Sequence, residues 1–414
     1  MKKHSLILSI LLFLFLPFSD VSGESKDDLK AAFIKKDDLW IKNDQKEIRI
    51  TNGKYVRYPK WSYDGEWVAY LSGRKQEYGA FYTGDLWLYH VKSKRSFKLS
   101  SNVSNNFQWS PNQNSLAYQI EKDLKMINVK TMNKTVQISK GILVFSWLPE
   151  GKGFLVASKL SENVFSDIVL SKINIKSDNH FVKNHFYTIH VAKKDYFYDT
   201  SQFKWSHDRK WIAFEIEPTG SLSADSNVLS VISNYGTNFH KIDEMLHYEE
   251  WFQWAPTNND LAFIKGDNRV STINKKLAIN NIANKKSNFI YTPKGFVDRD
   301  LAWKSNHQIY VSRSNEKDLV DISKRPMPSI YQISLKTNVQ RKVTFPLLNE
   351  GDFFPEIVNN GNNLLWIRTN RKEASVLVSS SNGSGQVKWI PKLDLGTWYY
   401  EHWEWSEVFN LYQK

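Results

Sequence analysis

Residues 61–70, which read WSYDGEWVAY, decide the fold of this chain because the same pattern recurs along most of its length. Two further copies are clear: WSPN at 109–112 followed by LAY at 116–118, and WSHD at 205–208 followed by WIAF at 211–214. The mean spacing of about 49 residues is typical of a repeat architecture. Weaker copies or relics begin at Trp147, Trp254, Trp303, Ile357 and Trp405.

Each copy predicts a β-hairpin. A short apolar strand ends at the Trp-Ser pair, a tetrad rich in Pro, Asp, Asn and Gly turns the chain, and an alternating strand returns. These residue types serve turns, because Pro presets its own φ, Asp and Asn accept hydrogen bonds from nearby backbone, and Gly tolerates positive φ. We therefore expect the carboxylates of Asp64 and Asp208 to be structural.

A second marker, usually a polar residue followed by apolar ones, recurs between the copies and predicts a third strand in each repeat. A polar stretch and a fourth strand follow, as at 47–50 and 96–99. Four strands per repeat describe the blade of an all-β propeller, in which small sheets bury their faces by stacking around an axis. We prefer eight blades, with seven as the alternative. The eight markers begin at Asp38, Asp85, Asp123, Asp167, Asn227, Lys276, Ser329 and Ser375.

The order of the two markers predicts how the ring closes. The chain starts with third- and fourth-strand segments at 38–50 and ends with first- and second-strand segments at 402–412. Pairing of the two ends would complete one blade, two strands from each end, and leave no sheet edge open. In the seven-bladed alternative, the segment around Trp405 packs without forming half a blade.

The N-terminus and the composition set the domain organisation. Residues 1–23 are predicted to be a secretory signal peptide, because a basic start precedes an apolar run of about 13 residues and a small-residue cleavage site. Such a run is too short for a comfortable membrane span, so we expect no transmembrane anchor after cleavage. Residues 24–36 are predicted to be a linker and 37–414 a single propeller, for which 24 Phe, 19 Tyr and 16 Trp supply ample core.

Charge and cysteine content narrow the function. A formal net charge of +13 favours an anionic partner such as a cell-envelope polymer. The basic residues are dispersed and no nucleic-acid-binding motif is present, so we expect no nucleic-acid partner. The absence of cysteine excludes disulfides, thiol catalysis and cysteine-based zinc sites. We predict an exported monomer that is extracellular, cell-wall associated or periplasmic.

The repeat consensus resembles the TolB-like, WD40-like propeller repeat, and the copies at Trp61, Trp109 and Trp205 match it best. The resemblance covers nearly the whole mature chain and implies the fold but no single function, since such repeats occur in scaffolds, lyases and peptidases. TolB itself carries an additional N-terminal α/β domain, for which 24–36 leaves no room. Related propellers of the prolyl oligopeptidase and dipeptidyl peptidase families gate a hydrolase domain, but this sequence has no Gly-x-Ser-x-Gly elbow.

Histidines are the first candidates for metal ligands. His180, His185 and His190 cluster in one long interval, but a spacing of five places neighbours on opposite faces of a strand. A propeller-type polysaccharide lyase would need several histidines around an axial metal, and His207, His247 and His307, in or near strand-one-to-two turns, could supply them. Neither set forms a recognised zinc motif. We therefore predict no catalytic, cofactor-binding or metal-binding residues and no cofactor.

Other segments are candidates for contact surfaces. The intervals 178–197, 217–227 and 315–328 are longer than a blade requires and predict either rim loops for a partner or tolerated insertions. Residues 382–385, NGSG, predict a hairpin turn, since no phosphate-loop Lys-Ser/Thr follows. We expect the C-terminal aromatic residues to pack in the core of the closing blade. These residues are Trp398, Tyr399, Tyr400, Trp403 and Trp405.

The sequence leaves three functions open. The first is a secreted, non-enzymatic propeller that binds a protein, a peptide or an envelope polymer through one face and its central funnel. The second is an enzyme with its site in the axial channel, such as a polysaccharide lyase or hydrolase. The third is an accessory protein that its basic surface holds to an anionic cell wall.

Overall fold

A computed structural model describes residues 29–43, 45–75, 83–132, 134–176, 180–192, 194–284, 288–400 and 402–413. The predicted signal peptide lies outside them. The described residues form eight antiparallel blades of four strands in a ring, which confirms the all-β, eight-bladed propeller and excludes seven blades. Short 3-10 helices span Gly220–Ala224, Glu249–Trp251, Ile282–Asn284, Ile322–Lys324, Asn359–Gly361 and Trp405–Glu407.

The strands are numbered in chain order, and blades 1 to 4 occupy the first half of the chain. Before the first repeat lie β1 (Lys30–Lys35), β2 (Asp38–Asn43) and β3 (Lys46–Arg49). Blade 1 contains β4 (Tyr55–Trp61), β5 (Trp67–Gly73), β6 (Thr83–His90) and β7 (Arg95–Ser104). Blade 2 contains β8 (Phe107–Trp109), β9 (Ser115–Ile120), β10 (Asp123–Asn128) and β11 (Val136–Ser139). Blade 3 contains β12 (Val144–Trp147), β13 (Gly153–Lys159), β14 (Ile168–Ile175) and β15 (Phe181–Ile189). Blade 4 contains β16 (Phe197–Thr200) and β17 (Lys204–Trp205), which share the first position, with β18 (Trp211–Pro218), β19 (Asn227–Ser233) and β20 (His240–Met245).

The second half of the chain supplies blades 5 to 7 and the last strands. Blade 5 contains β21 (Phe252–Trp254), β22 (Asp260–Lys265), β23 (Lys276–Asn281) and β24 (Phe289–Ile290). Blade 6 contains β25 (Phe296–Ser305), β26 (Gln308–Asn315), β27 (Ser329–Ser334) and β28 (Gln340–Lys342). Blade 7 contains β29 (Gly351–Val358), β30 (Asn363–Thr369), β31 (Ala374–Ser380) and β32 (Val387–Leu393). A hairpin of β33 (Trp398–Tyr399) and β34 (His402–Trp403) follows, and β35 (Phe409–Leu411) completes blade 8 with β1, β2 and β3.

The predicted turn chemistry is present at the repeat hairpins. Oδ1 of Asp64 accepts hydrogen bonds from the Ser62 hydroxyl at 2.8 Å and from the backbone N–H of Glu66 at 3.0 Å. The Ser62 hydroxyl in turn accepts from the N–H of Trp67 at 3.0 Å. The other Asp64 oxygen accepts from Asn114 of the next blade. The structural role expected for this carboxylate is confirmed.

The repeated tryptophan joins neighbouring blades, which explains why the repeat keeps it. In four repeats the indole N–H donates to the backbone carbonyl of the residue that precedes the corresponding position in the previous blade. A buried indole N–H needs such an acceptor, and a ring of this size reaches across the interface between two sheets. The contacts are Trp109 to Lys60 at 2.9 Å, Trp147 to Gln108 at 3.0 Å, Trp254 to Lys204 at 2.9 Å and Trp303 to Gln253 at 3.1 Å.

The blades have a constant radial order. Each predicted third-strand marker lies at the start of, or within, a third strand, with Asp167 immediately before its strand. Second strands are the most buried, as in β5, and fourth strands such as β3 are largely exposed. The fourth strands therefore lie outermost, the first strands face the axis, and the core lies between adjacent sheets.

The ring closes differently from the prediction. β35 pairs with β1, so the closing blade takes one strand from the C-terminus and three from the N-terminus. The strand Lys30–Lys35 lies inside the interval 24–36 that the sequence predicts as a linker, and it belongs to the propeller instead. The relic at Trp405 is a 3-10 helix, while the first strand of this blade ends at Leu411. The guanidinium of Arg57 reaches Glu407 at 3.2 Å, a buried ion pair that fixes this helix.

Candidate functional site

A cavity of about 710 Å³ lies on the axis, lined mainly by the first strands of six blades. In an antiparallel blade, one face of the ring carries the turns between first and second strands, and we call it the turn face. The opposite face carries the links from one blade to the next, and we call it the connection face. Tyr63 and Pro111 line the cavity at the turn face, while Glu250, which lies in a blade link, lines its other end.

The lining combines aromatic rings with carboxyl groups. Although the chain has a net charge of +13, no Lys, Arg or His side chain is among the described residues that line the cavity. Its ionisable side chains other than tyrosine are Glu250, Asp300 and Glu356. The cavity is therefore acidic inside a basic protein. Its larger aromatic lining residues are Trp61, Tyr63, Trp109, Trp254, Trp303, Phe354 and Tyr412.

Two half-buried lysines lie near the axis without lining the cavity. Lys60 Nζ donates to the backbone carbonyl of Phe107 in the next blade at 2.9 Å, and Lys204 does the same to Phe252 at 3.1 Å. Burial lowers the pKa of Lys60 to about 8. Both ammonium groups reach across a blade interface and donate hydrogen bonds to backbone carbonyl groups there.

Glu356 is the most perturbed carboxyl group of the cavity. It follows a bulge in β29, where the pairing register with β30 shifts between Phe353 and Glu356. Burial raises the pKa of Glu356 to about 7, and a hydrogen bond from Gln413 at 3.2 Å offsets only part of this effect. The side chain can therefore change its charge near neutral pH, as a general acid does.

Glu250, Asp300 and His402 meet where the C-terminal hairpin covers the connection face. His402 Nε2 lies 2.7 Å from Glu250 Oε1, and its Nδ1 lies 3.9 Å from Asp300 Oδ1. Asp300 accepts from the indole N–H of Trp251 at 2.9 Å and from the N–H of Phe354 at 2.8 Å. Burial alone would lower the pKa of His402, but the hydrogen bond and charge of Glu250 outweigh it and raise the pKa. The group is thus a buried ion pair that anchors the hairpin.

A second cluster, Glu215, Glu217 and His247, also lies at the connection face, in blade 4 and its link to blade 5. His247 Nδ1 is 2.7 Å from Glu215 Oε2 and 3.2 Å from Glu217 Oε1. Burial raises the pKa of both carboxyl groups. Partial desolvation would lower the pKa of the half-exposed His247, but the charges of Glu217 and Glu215 raise it well above its usual value.

The histidines singled out in the sequence do not converge. Nε2 of His185 forms a hydrogen bond with the Thr188 hydroxyl at 2.9 Å, and Nδ1 of His190 forms one with the Asp167 carboxylate at 2.7 Å. No metal-binding group found among the described residues includes His180, His185 or His190. His207 and His307 lie in turn-face hairpins as predicted. The prediction for His247 is wrong, because the link between β20 and β21 places it at the opposite face.

The other candidate segments have mixed outcomes. Within the interval 178–197, Phe181–Ile189 is the fourth strand of blade 3, so the loop predicted for this part is wrong. The intervals 217–227 and 315–328 join the second and third strands of blades 4 and 6 at the connection face, and each contains a 3-10 helix. Residues 382–385 form the predicted hairpin turn between β31 and β32.

The C-terminal aromatic residues divide between core and surface. Trp403 and Trp405 are buried, as expected. Trp398 and Tyr399 are 39% and 40% exposed, on the hairpin over the connection face, so their predicted place in the core is wrong.

Apart from His247, the residues that form the two clusters and the acidic lining were not singled out by sequence reasoning. The available signal was a charged residue in a segment predicted as an inner strand, as at Asp300 and Glu356, or just before one, as at Glu250. In an inner strand that contacts only packed core, burial of such a charged side chain would cost free energy. Nothing in the sequence pairs His402 with Glu250, which lies 152 residues away.

No protein-family model matches this chain, and no curated protein matches it in sequence. Solved structures do match. Dipeptidyl peptidase 4 from Porphyromonas gingivalis is 10% identical with a TM-score of 0.59, over 88% of this chain and 58% of that one. A puromycin hydrolase is 9% identical with a TM-score of 0.51, over 83% and 54%, so the chain spans little more than half of either protein.

A manganese complex of oligogalacturonate lyase is 11% identical with a TM-score of 0.50, over 85% of this chain and 96% of that one. The described residues include no helix with the length and apolar character of a membrane span. At these identities the likeness concerns the fold alone, since the same architecture carries unrelated activities. The chain is a β-propeller, and the narrower TolB-like resemblance rests on its repeat sequence.

Proposed function

We propose that this protein is an exported, non-enzymatic propeller of TolB-like type whose axial cavity takes up a cationic segment of a protein or peptide partner from the turn face. The observation that carries the proposal is the lining, in which three carboxyl groups and several tryptophan rings occur without a basic side chain among the described lining residues.

The size and chemistry of the cavity support this ligand class. Its volume of about 710 Å³ lies within the range of about 300–1,000 Å³ that small-ligand sites occupy. A lysine or arginine side chain gains from the carboxylates and from the faces of tryptophan rings, each cation–π contact being worth about 0.5–2 kcal/mol. Anionic polymer would be repelled from this cavity, so the basic outer surface is the part of the protein that would hold it to a cell wall.

Titration with tri-lysine, followed by tryptophan fluorescence, tests the proposal, because four tryptophans line the cavity. We expect saturable binding that added salt weakens, and none with tri-glutamate. Glu356→Gln should weaken binding about tenfold, the value of one charge-assisted hydrogen bond. Glu162→Gln, an exposed site outside the cavity, is the matched control and should bind like the wild type. Equal binding of both peptides, or no effect of Glu356→Gln, would contradict the proposal.

A channel-centred hydrolase is the second candidate, favoured by the contrast between two carboxyl groups of one cavity. Burial raises the pKa of Glu356, while His402 outweighs the effect of burial on Glu250 and lowers its pKa. Two carboxyl groups whose pKa values differ in this way can serve as general acid and general base. Release of reducing ends from oligosaccharides by the wild type, and not by Glu356→Gln, would favour this candidate over simple binding.

A further inference from the structure

We infer that Glu215, Glu217 and His247 form a binding site for one divalent transition-metal ion at the connection face of blade 4. The site is separate from the axial cavity, whose lining includes none of these residues. It therefore stands or fails independently of the proposed ligand.

The fold brings the three side chains together from two elements. Glu215 and Glu217 are two residues apart on β18, so their side chains leave the same face of the sheet. His247 lies in the link between β20 and β21. Asp199 is the cross-strand partner of Glu217 and adds a further carboxyl group to the same neighbourhood.

The distances between the donor atoms suit a shared ion. His247 Nδ1 lies 2.7 Å from Glu215 Oε2 and 3.2 Å from Glu217 Oε1. All three donor atoms lie within 4.8 Å of one another. Bonds of about 2.0–2.2 Å from one ion to nitrogen and oxygen ligands place adjacent ligand atoms about 3 Å apart. The three side chains can thus coordinate one ion with small adjustments.

An unsatisfied buried atom independently indicates that this cluster binds a ligand. Glu215 is fully buried, and although its Oε2 contacts His247, its Oε1 has no hydrogen-bond partner among the described residues. A buried carboxylate oxygen without a partner is costly, and such atoms commonly mark an ion or a water. A metal ion bound by this carboxylate would compensate it directly.

In the cluster of Glu250, Asp300 and His402, by contrast, the protein itself supplies the hydrogen-bond partners. There, each oxygen of Asp300 accepts a hydrogen bond, one from Trp251 and one from Phe354. His402 is 3% exposed, whereas His247 is 45% exposed. The blade 4 cluster therefore has both an unmet acceptor and an entry path for an ion, and the other cluster serves as its internal control.

The donor set indicates the class of metal. One imidazole nitrogen and two carboxylate oxygens suit zinc or manganese better than calcium or magnesium, which prefer oxygen ligands alone. Three protein ligands leave positions open for water or an exogenous ligand. Glu249 adds negative charge nearby, and Lys204 offsets part of it.

Calorimetric titration of the chelator-treated protein with zinc chloride or manganese chloride tests the inference, with bound metal counted by mass spectrometry after gel filtration. We expect one ion per chain for at least one of the two metals. Glu217→Gln and His247→Asn should each weaken binding by more than about 100-fold, beyond the 10–100-fold typical of losing an outer-shell partner. Glu250→Gln, in the control cluster, should leave the affinity unchanged.

The possible results separate cleanly. Absence of stoichiometric binding for both metals overturns the inference, as does equal affinity in the wild type and Glu217→Gln. Loss of binding in Glu250→Gln alone would assign the ion to the control cluster and also overturn it. If His247→Asn does not fold, Glu217→Gln decides, since its side chain is 21% exposed and the replacement keeps its shape.

Discussion

Replacing Phe409 by alanine should destabilise the whole propeller, because this residue sits in the strand that closes the ring. Phe409 lies opposite Phe33 in the antiparallel pair of β35 and β1. The two side chains are 2% and 0% exposed and belong to one core cluster with Trp403 and Trp405. The substitution therefore removes a buried ring from the one strand pairing that joins the two chain ends within the described part of the structure.

The size of the effect follows from burial. Removal of a buried phenylalanine side chain costs about 3–5 kcal/mol, because transfer free energy is lost and a cavity remains. β35 has only three residues, so little other apolar area holds it in place. The backbone bonds from Ile34 N–H to the Val408 carbonyl and from Tyr412 N–H to the Lys30 carbonyl, both 2.8 Å, depend on the same strand. We expect a loss of about 3–5 kcal/mol in the free energy of unfolding.

Urea unfolding followed by tryptophan fluorescence measures this loss by linear extrapolation. Phe345→Ala is the matched control, because Phe345 is 72% exposed, and it should change the free energy by less than about 0.5 kcal/mol. Amide hydrogen exchange adds a local readout, in which Ile34 and Tyr412 should lose protection in Phe409→Ala. A cost no larger than that of Phe345→Ala, with protection of both amides unchanged, would refute closure by β35.

Three further predictions concern the repeat, the cavity and the closure, and urea unfolding checks each of them. Asp208→Ala should lower the free energy of unfolding by about 1–3 kcal/mol, since it removes the hydrogen bonds of the turn and the 3.0 Å hydrogen bond from Asn259 of the next blade. Tri-lysine binding should stay unchanged. A loss of that binding would show that the carboxylate is not only structural. Gly65→Ala should lower the free energy of unfolding by about 1–3 kcal/mol, because φ of Gly65 is +69° and an added Cβ would lie 2.7 Å from Cζ of Tyr412. An unchanged free energy of unfolding would contradict this close approach. Because burial raises the pKa of Glu356 from 4.5 to about 7, its carboxyl group favours the folded state fully below about pH 4.5, and up to about 3 kcal/mol is lost as the pH rises through 7. Glu356→Gln should remove this part of the pH dependence, and an unchanged profile would show that Glu356 ionises normally.

Local patterns carried the fold prediction because their information lies in neighbouring residues. The hairpin at 61–70 combines a strand, a turn tetrad and a returning strand within ten residues, and its Asp64 serves the turn as predicted. Repetition then predicted four strands per blade, since each sheet must cover its faces with a neighbour, and favoured eight blades over seven, which the structure confirms.

The error in the closure has a physical cause. The segment Lys30–Lys35 has no Trp-Ser or Asp-Leu marker, so its sequence does not distinguish a second strand from a linker. Trp405 carries the Trp-Ser pair but lies in a 3-10 helix, where burial of its ring in the core satisfies the same apolar preference. Pairing with β35 is decided by where the two ends meet, which no local pattern records.

The sequence by itself determined the all-β repeat, the third strands and the structural turns, because periodic local preferences encode them, and it favoured eight blades over seven. Tertiary structure alone decided which distant charges meet: His402 with Glu250, and His247 with Glu215. Those meetings depend on the angle of each blade around the axis and on the register of each strand. Single side chains far apart in the chain carry no signal of either quantity, so the acidic cavity and the inferred metal site emerge only from the closed ring.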